Sequence, residues 1–285
     1  MRAAVLGLPI AHSLSPALHR AAYAALGLAG WSYQAIECGE DGLPTRLDRC
    51  GPGWAGLSLT MPLKRTVLPL LDHVDPVAMR TGAANTVVFD GGTRHGYNTD
   101  VAGLVTALTE AGAEPGPGGV LILGAGATAC SALAALRELG VREVTVAARD
   151  PARAAGLLAV ASGLGIHVRM APFGIIKDGL DLLLSTVPGG GADFYAGRLR
   201  RARPAPRAIL DVVYHPWPTP LAAAAREAGA ITIGGFEFLL HQAARQVELM
   251  TGRAAPVTAM REAGLAEMAR REATPAPADP RSVSG

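Results

Sequence analysis

The chain has 285 residues, of which 49% are apolar and 18% charged, with a formal net charge of only +2. That is enough apolar material for the cores of two compact domains, and too little charge of one sign for a nucleic-acid surface. Cys38, Cys50 and Cys130 are odd in number and lack metal-ligand spacing, so the expectation is free thiols in a reducing compartment and no metal site.

The N-terminal stretch MRAAVLGLPIAHS lacks the apolar length of a secretory signal, and no run approaches the roughly 18 apolar residues of a membrane span. A soluble, cytoplasmic protein is expected. Arg2–Leu8 reads as a strand and Pro16–Leu26 as a helix. Trp31–Ile36, Ala55–Leu59 and Ala83–Phe89 read as strands, followed by a turn at Asp90–Gly92 and a helix from Val101 to Ala111. Strand–helix–strand order of this kind implies crossovers and a mainly parallel sheet. Gly112–Gly119 (GAEPGPGG) is the linker candidate. Beyond it, the apolar strand Val120–Leu123 runs through glycines into a helix at Ala129–Leu139. Glu143–Ala148 is the next strand, and a helix starts at Pro151. Asp181–Ser185 and Ala208–Val212 read as buried strands, Thr219–Ala228 as a helix and Ile231–Ile233 as a last strand. Helical periodicity returns over Phe236–Met250 and Val257–Arg271. The tail Thr274–Gly285, rich in Pro, Ala and Ser, is expected to be disordered.

Gly124-Ala125-Gly126-Ala127-Thr128-Ala129 fits G-x-G-x-x-(G/A) between a strand and a helix, with a second strand about 20 residues later. The first glycine allows a tight turn and the second lets backbone approach a pyrophosphate. The small third position lets helix and strand pack closely, with the helix N-terminus facing the anion. At the end of the second strand, an acidic residue would bind a ribose 2′-hydroxyl and arginine a 2′-phosphate. Asp150 is placed for the first role, but Asp150-Pro151 is also a helix cap followed by the first helical residue. Arg149 and Arg153 flank it, and the Arg149 guanidinium is also able to stack on adenine. The balance favours NADP over NAD.

Four polar clusters punctuate the N-terminal half at strand ends. Ser13-Leu14-Ser15-Pro16 offers two hydroxyls for a carboxylate, or a plain helix cap. Gly56–Lys64 (GLSLTMPLK) ends a strand with Thr60 and Lys64. Gly82–Thr86 carries Asn85, and Gly96–Asp100 carries Asp100, which would also serve as a helix cap. Lysine, carboxylate, amide and paired hydroxyls together are the equipment to hold a polyol acid and move one proton.

The order SLS, L-x-L-T-M-P-x-K, G-A-x-N-T, G-x-N-T-D-x-x-G and G-A-G resembles the shikimate dehydrogenase (shikimate/quinate dehydrogenase) family. The resemblance continues through STVP (Ser185–Pro188), DVVYxPxxTPL (Asp211–Leu221) and GFEFLLxQ (Gly235–Gln242), and spans residues 3 to 271. It implies an α/β protein of two domains. One is a substrate domain with a mainly parallel sheet, formed by residues 1–101 plus 236–272. The other is a Rossmann-type, doubly wound NADP domain over 102–235, and the tail 273–285 is left outside both. It implies reversible, NADPH-dependent reduction of 3-dehydroshikimate to shikimate, in a monomer or homodimer without nucleic-acid or membrane partners. Lys64 and Asp100 match the catalytic pair. Ser13, Ser15 and Thr60 match hydroxyls around the acid, Asn85 and Gln242 partners of the ring hydroxyls, and Tyr214 a tyrosine near the substrate. Gly124, Ala125, Gly126, Ala127, Thr128, Arg149, Arg153, Thr186, Val212 and Gly235 match the cofactor-binding positions. Departures are Ser58 where the family usually has Asn, Ala127 for a common Gly, and Ala148 and Asp150 for a frequent Asn and Thr. Rival readings are a quinate or aminoshikimate dehydrogenase using NAD, and a non-catalytic nicotinamide-binding regulator. The second predicts loss of Lys64 or Asp100, and both are present.

Overall fold

Short apolar strands alternating with helices assemble into two six-stranded sheets. The computed structural model describes residues 1–150, 154–202 and 204–273. The predicted helix start at Pro151, the assignment of Arg153 and the C-terminal tail lie outside those residues.

The first sheet contains β1 (Arg2–Gly7), β2 (Ser32–Glu37), β3 (Trp54–Leu59), β4 (His73–Val74), β5 (Thr86–Asp90) and β6 (Thr93–Tyr97), in the order β2-β1-β3-β5-β6-β4. Its helices are α1 (Ser15–Ala25), α2 (Leu43–Asp48), α3 (Leu63–Thr66) and α4 (Pro76–Thr81), and α5 (Asp100–Glu110) then leads across, packing Val101, Leu104, Ala107 and Leu108 into the core of the second sheet. Pairings β1–β2, β1–β3 and β4–β6 are parallel, whereas β3–β5 and β5–β6 are antiparallel. The sheet is thus mainly parallel with an antiparallel hairpin inserted. Strand β6 carries no signal in the sequence, because TRHGY has no apolar alternation. Strand β5 starts later than the expected Ala83: Ala83–Asn85 lead into the strand rather than belong to it. Every residue of β3 is buried, as expected of a strand covered on both faces.

The second sheet holds β7 (Val120–Leu123), β8 (Glu143–Ala147), β9 (His167–Ala171), β10 (Leu182–Ser185), β11 (Ala208–Asp211) and β12 (Ile231–Gly234), in the order β12-β11-β10-β7-β8-β9. All of its pairings are parallel. The order reverses between β7 and β10, which creates the crevice where such sheets take their ligands. Helices α6 (Ala127–Glu138), α7 (Ala154–Leu164), α8 (Phe194–Leu199) and α9 (Pro220–Glu227) cover its faces. The edge strand β9 carries His and Arg on exposed positions, so it too escaped the hydrophobic pattern.

Two long helices, α10 (Gly235–Thr251) and α11 (Val257–Ala273), follow the second sheet and return to the first. Phe236, Leu240, Ala243 and Val247 of α10 share a core with Ala3, Val5, Leu18 and Tyr33. Helix α10 also runs against α5 with almost no gap. A Cβ on Gly103 would lie 2.8 Å from Gln242 Cβ and 2.9 Å from its backbone nitrogen. Outside this contact, His241 Nε2 meets Glu110 Oε2 at 3.0 Å, and Arg261 of α11 pairs with both Glu237 and Glu110.

Candidate active site

Strand β3 ends at Leu59, and the chain turns through Thr60 and Met61 into α3, anchored by the fully buried Leu63. This delivers Lys64 to the first residue of α5. Lys64 Nζ donates to Asp100 Oδ2 at 2.6 Å, with the Asp100 side chain only 3% exposed. The other carboxylate oxygen accepts from Asn85 Nδ2 at 2.7 Å, and the same amide lies 3.2 Å from Gln242 Oε1. Asp100 does not cap its helix: the cap residue is Thr99, without a side-chain cap bond, and Asn98 Oδ1 receives the Asp100 N–H at 3.1 Å. Asn98 received no role from sequence. It donates to Thr81 Oγ1 and to Ser131 Oγ of α6, so the turn carrying Asp100 is tied to both lobes.

At the other end of the site, Ser13 precedes α1 and Ser15 is its first residue. The cap residue of α1 is Leu14, with no side-chain cap bond. Ser13 Oγ accepts only a long 3.3 Å bond from Ser15 N. The helix-cap reading of these hydroxyls is therefore not what the structure has.

Beneath them lies a buried network that the sequence did not reveal. The Tyr33 hydroxyl donates to Ser58 Oγ at 2.6 Å, Ser58 Oγ donates to Gln246 Oε1 at 2.7 Å, and His19 Nε2 lies 3.2 Å from the same oxygen. Gln246 Nε2 donates to Thr86 Oγ1 at 3.1 Å, and His19 stacks on Tyr33 at 4.0 Å. The available signal was polar residues on apolar helix faces, with Gln246 one turn beyond Gln242. Ser58 is short enough to bridge Tyr33 and Gln246.

Complete burial drives the His19 pKa from 6.5 down to about 3, against the weaker raising effect of its bond to Gln246. Unfolded, the ring would protonate near its ordinary value; folded, it stays neutral. The unfolded chain then binds more protons between these values, so this contribution to stability is full above pH 6.5 and declines as pH falls toward 3. We expect about 2 kcal/mol of loss between pH 6.5 and 5 from this ring. Urea unfolding at pH 7 and pH 5 should show a smaller loss for His19→Gln than for the wild type. Equal losses would exclude His19 as the source.

Of this network Ser58 and Gln246 reach one cavity, of about 290 Å³. Ser13, Ser15, Thr60, Lys64, Asn85, Asp100, Tyr214 and Gln242 line it, and Thr128, Val212 and Gly235 close it from the side of the second sheet. A larger cavity, of about 410 Å³, opens behind Tyr214 among Trp217, Arg226 and Arg261 and shares only Tyr214 with the first. It contains neither Lys64 nor Asp100.

The glycine loop has a geometry that suits a diphosphate. Gly124 has φ +106°, and a Cβ there would lie 2.6 Å from Thr186 Oγ1. The Thr186 hydroxyl itself donates to Leu123 O at 2.8 Å and so braces this turn. Gly126 needs no special φ; nothing lies within 4 Å of where its Cβ would be, which leaves its backbone open to approach. Helix α6 starts there without a side-chain cap, so its first N–H groups are left to a ligand. Ala129 is fully buried against the sheet. At Gly235 a Cβ would fall 2.0 Å from Val212 O, so only glycine permits the chain to pass from β12 into α10 beside the cavity. These features fit a dinucleotide. Arg149 lies outside the cavity, exposed, its guanidinium 5.9 Å from the centre of the Phe173 ring.

Residues 5–87 match the family described as the shikimate dehydrogenase substrate binding domain, and residues 235–263 match the shikimate 5′-dehydrogenase C-terminal domain. A shikimate dehydrogenase (NADP(+)) of Thermus thermophilus is 40% identical over 264 residues, covering 92% of this chain and 97% of its own. Among solved structures, the shikimate dehydrogenase of Mycobacterium tuberculosis is 43% identical with a TM-score of 0.83, covering 93% of this chain and 99% of its own. A shikimate 5-dehydrogenase of Thermus thermophilus, solved in complex with NADP(H) and shikimate, is 36% identical with a TM-score of 0.79, and the same shares of the two chains are covered.

Proposed function

The chain belongs to the shikimate dehydrogenase family, and on that premise we propose that it interconverts 3-dehydroshikimate and shikimate with NADP(H). The observation that carries this is the Lys64–Asp100 pair, held at 2.6 Å in a cavity with the seryl hydroxyls at one end and the glycine loop at the other. Residues 1–101 with 236–272 form the substrate-binding domain and 102–235 the NADP-binding domain in this reading. Supporting it are the two separate sheets and the core that α10 shares with β1. Among the described residues no helix is long and apolar enough to cross a membrane. We place the enzyme in the cytoplasm, as a monomer or homodimer.

Bound NADPH supplies the hydride to the ketone carbon. Lys64 is positioned to stabilise the growing charge on the ketone oxygen and to protonate it. Asp100 fixes Nζ through one carboxylate oxygen and is itself fixed by Asn85 through the other, so the ammonium is aimed before substrate arrives. Asn85 and Gln242, already touching, offer amide groups to ring hydroxyls, while Ser13, Ser15 and Thr60 bind the acid. In the oxidative direction Lys64 takes the proton back.

The deciding experiment is a steady-state assay with shikimate and quinate, each with NADP⁺ and NAD⁺. We expect the highest kcat/KM for shikimate with NADP⁺. A clear preference for NAD⁺ would move Asp150 from a capping to a ribose-binding role, and a preference for quinate would overturn the substrate assignment.

Replacing both Ser13 and Ser15 by alanine is expected to raise KM for shikimate by about tenfold or more while kcat changes little. The carboxylate does not react, so these contacts act equally on ground and transition states. Unchanged KM with a lowered melting temperature would assign the hydroxyls to folding instead.

A further inference from the structure

Arg65 follows Lys64, but its side chain leaves the substrate cavity and crosses to the second lobe. Its Nη2 donates to Cys130 Sγ of α6 at 3.3 Å. Its Nη1 and Nη2 lie 3.3 and 3.8 Å from the point where a Cβ on Gly156 of α7 would sit. The guanidinium therefore rests between the N-terminal turns of α6 and α7. Among the described residues it forms no ion pair with a carboxylate, and its hydrogen-bond partner is a thiol whose pKa is pushed up by burial. A neutral thiol is a weak acceptor and leaves the positive charge uncompensated.

Both neighbouring turns adjoin cofactor-binding backbone. The N-terminus of α6 takes the pyrophosphate, and the connection from β8 to α7 is where a Rossmann domain reads the adenosine ribose. Arg65 lies against Gly156, the third residue of α7, on the helix that follows the second of these. No atom lies within 4 Å of the Cβ position of Gly126, so the guanidinium does not crowd the pyrophosphate turn, whereas it fills the space beside Gly156. A side chain at 156 would press on it.

We propose that Arg65 is a ligand of the cofactor's 2′-phosphate, supplied by the substrate-binding lobe, and that it helps the enzyme select NADP over NAD. The assignment rests on the NADP reading above. It places part of the cofactor's recognition on α3, the same short helix that carries Lys64.

The test is equilibrium binding by calorimetry of NADP⁺, NAD⁺ and 2′,5′-ADP to the wild type, Arg65→Gln and Arg65→Lys, with melting temperatures recorded. Loss of one charge-assisted bond should weaken NADP⁺ and 2′,5′-ADP by about tenfold in Arg65→Gln, leave NAD⁺ within about twofold, and be partly restored by lysine. Equal weakening of NADP⁺ and NAD⁺ would make Arg65 a pyrophosphate or interlobe contact and overturn the proposal. So would unchanged selectivity, with or without a lower melting temperature. A wild type that binds NAD⁺ more tightly than NADP⁺ would overturn the cofactor reading and this assignment together. A wild type that prefers NADP⁺, with a variant that keeps the same preference, would sink the assignment alone.

Discussion

Replacing Lys64 by alanine is expected to lower kcat by a factor of about 10²–10⁴ while KM for shikimate changes little. In the proposed mechanism the ammonium acts on the ketone oxygen only as charge develops there, so its loss falls on the transition state. The structure adds a complication that the measurement must separate. Lys64 is the cation on Asp100, and removing it leaves a carboxylate that is 3% exposed with Asn85 as its remaining side-chain partner. Removing one partner of a buried pair is destabilising in its own right. A melting curve taken beside the kinetics distinguishes the two effects. A folded variant with near-normal kcat would remove Lys64 from the mechanism.

Gly235→Ala is expected to damage fold and activity together. The added methyl would lie 2.0 Å from Val212 O and 2.3 Å from Val212 C, and these are backbone atoms that cannot rotate aside. Relief requires displacing either the end of β11 or the first turn of α10, the helix that carries Gln242 and Gln246. Overpacking of this kind costs about 1–3 kcal/mol or more, and the displaced amides should lower kcat/KM by at least about tenfold. Gly126→Ala is the internal control: nothing lies within 4 Å of its Cβ, so the fold should melt normally while NADP⁺ binding weakens. If Gly235→Ala melts and turns over like the wild type, the close approach of the Val212 backbone to α10 is not the constraint described.

Much of the site was legible because its chemistry sits at strand ends and helix starts, where turns and glycines punctuate the sequence. Lys64, Asn85 and Asp100 were singled out on those grounds, and the structure brings them together with Gln242 from a distant helix. Only the family resemblance supplied Gln242, since a glutamine within helical periodicity carries no local signal. The deeper layer was not legible at all. His19, Tyr33, Ser58 and Gln246 are individually ordinary residues, and what joins them is burial across elements far apart in the chain. The strands β6 and β9 were missed for the converse reason: their polar faces obscure the pattern that backbone pairing ignores. The capping alternatives for Ser13, Ser15 and Asp100 were reasonable locally and were decided by neighbours that the sequence does not place.

The return of α10 and α11 to the first sheet sets an order of events during synthesis. A ribosome that has released residues up to β12 has delivered every strand of both sheets. The second sheet then has all its strands and its crossover helices, whereas the first still lacks the helices that supply Leu240, Val247 and Met260 to its core. Until those emerge, Ala3, Val5, Leu18 and Tyr33 have no cover from that side, and Asn85 has no Gln242 to meet. The half of the enzyme that begins first is therefore the half that finishes last. A nascent chain stalled before α10 would present an apolar first lobe to chaperones beside a second lobe whose sheet is already complete.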